Sequence, residues 1–196
     1  MSEKRVIARS DVLTMDDYAA RRTDLKKDIA AYKVNRRVEV GPFATFYFES
    51  YKTMWHQVHE MLFIEKGGEE QIADELEAYN PLIPKGSELV ATVMFEIDDP
   101  DRRARVLAGL GGVEHTMSIR IGDETIMGHA EEDVDRTNAA GKASSIQFVH
   151  FNFTPAQIEA FTTPGTETVL AIGHQNYGHM AIIPEPVRAA LSEDFA

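Results

Sequence analysis

The chain has 196 residues, contains no cysteine and carries a formal net charge of −12. Without cysteines it cannot form disulfides, thiolate metal sites or iron–sulfur clusters, and a surface this acidic argues against binding to nucleic acid. Its charged amino terminus is not a signal peptide and no apolar stretch approaches the ~20 residues of a membrane span, so we expect a cytoplasmic protein in which residues 1–196 form one domain.

The first part of the chain, about residues 11–80, is expected to be rich in helix. Thr14 suits the N-cap of a first helix, in which Tyr18, Leu25 and Ile29 recur at helical spacing. The segment RRVEVGPFATFYFES then predicts a hairpin of two short strands around its Gly-Pro pair. Two more helices are predicted in YKTMWHQVHEMLFIEK and EEQIADELEAY, which end at Gly-Gly and Asn-Pro.

The second part, about residues 86–196, is expected to be rich in strands. The predicted strands are 88–97, 115–123, 124–130, 143–153, 167–174 and 179–184. The predicted helices are 99–112, 154–161 and 184–195. Successive strands with short links favour an α+β fold with a mainly antiparallel sheet over a doubly wound parallel one. We expect the helices of the first part to pack on one face of that sheet.

The segment WHQVHEM places two histidines and a glutamate within one helical turn and a half. Its apolar residues form one stripe, whereas His56, His59, Glu60 and Phe63 fall on the opposite side, which we expect to be exposed. His56 could share a cation with His59 or Glu60, but the order H-x-x-H-E matches neither zincin motif. The same face is alternatively a surface for a partner protein.

A second histidine cluster, GHQNYGHM, holds His174 and His179 at the ends of two predicted strands, with Tyr177 between them. If this turn met the preceding helix, His56, Glu60, His174 and His179 would supply nitrogen and oxygen ligands suited to zinc, iron or manganese. Tyr177 would then be a candidate proton donor. The alternative is an ordinary turn, because glycine, asparagine and similar polar residues suit turns.

Two other places combine polar residues with apolar surroundings. Glu49 follows an apolar strand where a helix begins, so it is either a structural cap or a perturbed functional acid, and it is our second catalytic candidate. The elbow ELEAYNPLIP brings Glu77, Tyr79 and Asn80 together, either as an architectural stop or as the wall of a polar pocket. A small-ligand pocket near Glu49, Tyr79 and Asn80 is therefore one hypothesis.

The segment from Arg21 to Arg37 is basic in an otherwise acidic chain, with seven basic and two acidic residues. One interpretation is a solvated helix face beside acidic neighbours. The other is a docking site for an acidic partner or a small anion, in which Arg36 and Arg37 are candidate ligand-binding residues.

The stretches RRVEVGP, FES…TM…Q…HEML, ELEAYNPLIP and GHQNY resemble the bacterial domain-of-unknown-function family 3501. The resemblance runs from about Asp11 to Tyr177, and AYNPLIP after EML is its most specific part. The family pattern matches Gln57, Glu60, Met61, His174 and Tyr177. It does not include His56 or His59, so the resemblance shifts a metal site toward Glu60 with His174.

The resemblance implies no established activity. Genes of that family often lie beside genes for rubrerythrin-like proteins and iron–sulfur oxidoreductases, which implies a role near peroxide defence or electron transfer. The leading hypothesis is therefore an accessory protein that contacts such a redox partner through Arg21–Arg37 and the His56, His59 and Phe63 face. A metal-binding protein or metal-dependent enzyme and a small-ligand binder are the alternatives, and a homo-oligomer stays open.

Overall fold

The structure is a computed structural model that describes residues 4–131 and 142–195. The α-helices in the described residues are α1 (Met15–Lys33), α2 (Tyr51–Glu65), α3 (Gly68–Tyr79), α4 (Pro100–Ala108), α5 (Pro155–Thr162) and α6 (Glu185–Ser192). The strands are β1 (Arg37–Val40), β2 (Ala44–Phe48), β3 (Glu88–Phe95), β4 (Met117–Ile121), β5 (Glu124–Ala130), β6 (Ile146–Asn152), β7 (Thr168–His174) and β8 (Tyr177–Ile182).

The eight strands of the described residues join one sheet in the order β1-β2-β3-β6-β5-β4-β7-β8, and every neighbouring pair is antiparallel. This confirms the predicted α+β fold with its mainly antiparallel sheet. The β1–β2 hairpin lies within the helix-rich part of the sequence, yet it pairs with β3 and so extends the sheet formed by the later strands.

The sheet is rolled so that its first and last strands lie side by side. One hydrophobic cluster on its inner side contains Val38 and Val40 of β1 together with Tyr177 of β8. The Tyr177 hydroxyl accepts hydrogen bonds from the amides of Phe43 and Ala44 and donates one to the carbonyl of Val40, each at 2.9 Å. The Tyr177 side chain therefore holds β8 against the β1–β2 turn, although β1 and β8 are not paired by main-chain hydrogen bonds.

Close approach at this seam requires a glycine in the turn. Gly41 has a φ of +73°, and a Cβ atom there would lie 2.6 Å from the His179 ring and 2.8 Å from the Tyr177 hydroxyl. A side chain at position 41 would therefore strain the backbone and separate the strands.

Helices α2 and α3 pack on the outer side of the sheet, as predicted, and α1 packs on α2. Leu107, Phe161 and Leu191 of the later helices pack into the inner cluster. A second cluster, between α2, α3 and the sheet, includes Met54, Val58 and Val90. Since α1 lies on the other side of α2, the middle helix is covered on both sides.

Local sequence explains the boundaries of the first two helices. Thr14 accepts a hydrogen bond from the amide of Asp17 and so caps α1, as predicted. At α2 the cap is Ser50, which exchanges hydrogen bonds with Thr53 in a capping box. The N-cap of α2 is therefore Ser50 and not Glu49, which the sequence had offered as a structural cap. No helix in the described residues is both long and apolar enough to span a membrane.

Candidate functional site

A pocket of about 290 Å³ lies between the helical layer and the outer face of the sheet. We call it the Glu49 pocket. The end of α1, the middle of α2 and the end of α3 form one side, and β2, β3 and β6 form the other. Its lining residues are Lys33, Tyr47, Glu49, Met54, Gln57, Tyr79, Leu82, Thr92, Met94, Ile146 and Phe148. The walls are mostly apolar and aromatic, with a few polar groups at defined places.

The carboxyl group of Glu49 is the most unusual of these polar groups, because the residue is only 5% exposed. Its Oε1 accepts a hydrogen bond from the Thr92 hydroxyl and its Oε2 accepts one from the Thr53 hydroxyl, both at 2.6 Å. Among the described residues its donors are these two neutral hydroxyls. An ionised carboxylate can accept more hydrogen bonds than that, so Glu49 retains acceptor capacity.

Arg36 is a buried cation whose hydrogen bonds reach the main chain at Glu49. Arg36 is buried, donates to the main-chain carbonyls of Phe48 and Glu49, and pairs with Asp194 at 2.5 Å. It therefore fixes the backbone that carries Glu49. Asp194 is its direct ion-pair partner, and the Glu49 carboxylate attracts its charge more weakly. This corrects the expectation that Arg36 binds a ligand at the surface, because its side chain is 1% exposed.

Two tyrosines stand on opposite sides of the Glu49 pocket. Tyr79 comes from α3, and its hydroxyl accepts a long hydrogen bond of 3.5 Å from Gln57. Tyr47 comes from β2, and its hydroxyl donates to Glu96 at 3.0 Å. Both residues contribute to the lining of the pocket.

Of the residues predicted for a ligand pocket, Glu49 and Tyr79 line the same pocket. Asn80 instead clamps the amino-terminal segment: its side chain accepts from the amide of Ile7 and donates to the carbonyl of Ile7. Glu77 is exposed, and Arg37 is exposed on β1 opposite Tyr47. Asn80 therefore has a structural role in this elbow, whereas Tyr79 lines the pocket.

The expectation of an exposed histidine face on α2 is wrong for His59, which is fully buried. Its Nε2 accepts a hydrogen bond from the amide of Leu13 at 3.0 Å, and its Nδ1 donates to the carbonyl of Trp55 at 2.6 Å. The Tyr18 ring of α1 covers it, with ring centroids 5.0 Å apart. Burial lowers the pKa of His59, so this imidazole is a neutral packing group.

Glu60 faces α1 from the same helix. Its carboxylate forms a two-pronged ion pair with the Arg22 guanidinium at 2.8 and 2.9 Å and accepts a hydrogen bond from the Tyr18 hydroxyl at 2.7 Å. Hydrogen bonding to Arg22 is the main reason that the pKa of Glu60 falls to about 2. Lys26 lies 3.6 Å away as a second cation. Glu60 therefore interacts with residues of α1, namely the cations Arg22 and Lys26 and the Tyr18 hydroxyl.

His174 and His179 have separate surroundings at the β7–β8 turn. His174 is buried, donates from Nε2 to the carbonyl of Gly111 at 3.2 Å and accepts at Nδ1 from the amide of Asn176. His179 is exposed and packs its ring edge-on against Tyr177, 4.6 Å away. Burial raises the pKa of the Tyr177 phenol, whose hydroxyl is occupied by the seam.

His56, Glu60, His174 and His179 are thus divided between α2 and the late turn. Within residues 4–131 and 142–195, no group of three or more histidine, aspartate or glutamate side chains is placed to hold a metal ion. The Nε2 atom of His56 is buried without a hydrogen-bond partner there, and burial lowers the pKa of this imidazole. Binding of zinc, iron or manganese stays a prediction.

Sequence reasoning did not find most of the residues that line the Glu49 pocket. Thr92 had a visible signal, since it is the one hydroxyl within the otherwise apolar run LVATVMF. Gln57 belongs to the family pattern and Lys33 to the basic segment Arg21–Arg37, but neither pattern places these side chains in a pocket, because polar residues on helices are usually solvated. Met94 and Phe148 follow strand alternation, which shows the face of the sheet but not what covers it.

Comparisons with known proteins place these observations in a family. The chain matches the family model described as "Protein of unknown function (DUF3501)" over residues 6–195. It is similar to the crystal structure of a novel protein of unknown function from Burkholderia pseudomallei K96243, with 34% sequence identity, a TM-score of 0.90 and coverage of 97% of this chain and 100% of that chain. No curated protein matches the chain. The resemblance inferred from sequence motifs is confirmed.

Proposed function

Because this chain belongs to the DUF3501 family of proteins of unknown function, we propose a function from its own geometry: it binds a small, partly apolar molecule in the Glu49 pocket. The observation that carries the proposal is a buried carboxyl group on the wall of an otherwise largely apolar space. Burial of a charged group is costly unless a partner compensates it, so such a group is retained more readily where a ligand uses it.

The dimensions and the lining of the pocket support this proposal. A volume of about 290 Å³ lies just below the range of roughly 300–1,000 Å³ that small-molecule sites occupy. Apolar and aromatic walls with a small number of placed polar groups are the usual composition of such sites. The methionines Met54 and Met94 add side chains that adapt to irregular ligand shapes.

The other hypotheses stay predictions. The hypothesis of contact with a rubrerythrin-like or iron–sulfur redox partner used the basic segment Arg21–Arg37. In the structure, Arg22 forms an ion pair with Glu60, and Arg36 forms one with Asp194. Fewer cations of this segment are then available for an acidic partner. The pocket hypothesis is preferred because it uses residues that the fold brings together.

The proposal is tested by filling the pocket. Ile146 is partly exposed on the pocket wall, so Ile146→Trp should occupy the space without disturbing the inner core. The probes are phenethylamine, 2-phenylethanol and 3-phenylpropionate, which present one aromatic ring with a cationic, neutral or anionic end. Saturation-transfer NMR should show that at least one of them binds the unmodified protein and loses its signal with Ile146→Trp.

A matched control is Ile182→Trp, because Ile182 is an exposed isoleucine on β8 outside the pocket. This variant should bind the probes as the unmodified protein does. If none of the three probes binds, or if the signal survives Ile146→Trp, the proposed function is refuted.

A further inference from the structure

We infer that the ligand of the Glu49 pocket is an organic cation, an amine or alkylated ammonium whose charged nitrogen meets the Glu49 carboxylate and whose apolar body lies among the aromatic and methionine side chains. This inference rests on the proposed function and adds the chemical class of the ligand. It follows from the Glu49 carboxylate, from the aromatic rings beside it and from the charge of the protein.

The carboxylate provides the specific contact. Glu49 is buried, and its hydrogen bonds come from the neutral hydroxyls of Thr53 and Thr92. These hydroxyls orient both carboxylate oxygens without neutralising them. Arg36 forms its ion pair with Asp194, so a ligand ammonium would supply the direct ion pair that Glu49 lacks and fill the remaining acceptor positions. Hydrogen bonds between charged groups are stronger than neutral ones.

The aromatic side chains provide a second attraction for the same chemical group. Tyr47, Tyr79 and Phe148 line the pocket together with Glu49. The faces of aromatic rings are electronegative, and they attract ammonium ions most strongly where water is excluded. A ligand carboxylate would lack this attraction and would be repelled by the Glu49 carboxylate.

The charge of the whole chain acts in the same direction. A net charge of −12 raises the local concentration of cations around the protein and speeds their encounter with it. Lys33 is the opposing feature, since its side chain lines the pocket from the end of α1. Its ammonium group should weaken the binding of a cation, and this gives the inference a second, independent test.

The experiment compares phenethylamine with 2-phenylethanol and 3-phenylpropionate by isothermal titration at neutral pH. Phenethylamine should bind about tenfold or more tightly than 2-phenylethanol, and 3-phenylpropionate should bind most weakly. Glu49→Gln keeps the size of the side chain but removes its charge. It should reduce the affinity for phenethylamine by about tenfold to a hundredfold and leave the affinity for 2-phenylethanol nearly unchanged.

Two further variants make the result decisive. Glu77→Gln removes one negative charge from an exposed position outside the pocket and should leave the affinity for phenethylamine unchanged. Lys33→Gln should increase that affinity severalfold, and it tests the inference even if Glu49→Gln fails to fold, which circular dichroism would reveal.

The outcomes separate this inference from the proposed function. If 2-phenylethanol or 3-phenylpropionate binds at least as tightly as phenethylamine and is lost with Ile146→Trp, the pocket binds ligands but the cation assignment is overturned. A phenethylamine affinity that is insensitive to both Glu49→Gln and Lys33→Gln would overturn it as well. If no probe binds, the proposed function fails together with the inference.

Discussion

Replacement of Tyr177 by phenylalanine tests whether this residue holds the rolled sheet together. Tyr177 is 4% exposed, and its hydroxyl is the hydrogen-bond partner of the amides of Phe43 and Ala44 and of the carbonyl of Val40. Tyr177→Phe keeps the ring but leaves two amide donors in the β1–β2 turn without this partner. The variant should therefore lose stability at the seam.

The expected magnitude follows from the number of bonds. Three hydrogen bonds at a net value of about 1 kcal/mol each give a loss of about 3 kcal/mol in the free energy of unfolding. For a chain of this length that corresponds to a melting temperature lower by roughly 6–12 °C. Urea denaturation followed by circular dichroism should show a lower midpoint with an unchanged slope.

Tyr47→Phe is the matched control, because it removes a hydroxyl whose partner is the exposed carboxylate of Glu96. Its stability should stay within about 0.5 kcal/mol of the unmodified protein. If Tyr177→Phe unfolds at the same urea concentration as Tyr47→Phe, the hydroxyl does not hold the seam, and a catalytic or binding role for Tyr177 gains weight.

Two other predictions concern buried and partly buried charges. Asp194→Asn leaves the Arg36 guanidinium without its carboxylate, so the free energy of unfolding measured with urea should fall by about 3 kcal/mol. The double variant Arg36→Met with Asp194→Leu should recover much of that loss. Equal stability of the single variant and the unmodified protein would contradict this. Glu60 has a pKa of about 2 in the folded protein against an ordinary value of 4.5, so its ion pair with Arg22 stabilises the fold above pH 4.5 and loses that contribution as the pH falls toward 2. After allowance for solvent screening, Glu60→Gln should cost about 1–2 kcal/mol at neutral pH and progressively less between pH 4.5 and 2; a cost that is constant with pH would show that the charge of Glu60 is not responsible.

The elements of the fold were predictable because their signals are local. Thr14 marks the start of α1 through its hydrogen bond to the amide of Asp17, and α2 ends where predicted, although its left-handed C-cap is Lys66 and not the following Gly-Gly pair. Strand alternation in residues 88–97 and 143–153 likewise reflects burial on the two faces of a sheet. The rolled shape was not predictable, since the contact between Tyr177 and the β1–β2 turn joins segments more than 130 residues apart in the sequence.

The candidate site was predictable only in part, for the same physical reason. Glu49 stood out because a charged residue after an apolar strand is uncommon, and Tyr79 because a proline stops its helix. His59 was misjudged because helical periodicity identifies one buried stripe and cannot show that a second helix covers the opposite one. Arg36 was misjudged because its partner, Asp194, lies near the other end of the chain.

The walls of the Glu49 pocket come from segments that are far apart in the sequence, from Lys33 in α1 to Phe148 in β6. The pocket therefore exists only after β6 has docked, and the unfolded chain has no comparable site. A ligand at a hundred times its dissociation constant would raise the free energy of unfolding by about 2.7 kcal/mol. A ligand of the proposed class would thus also protect the protein from proteolysis of its unfolded state.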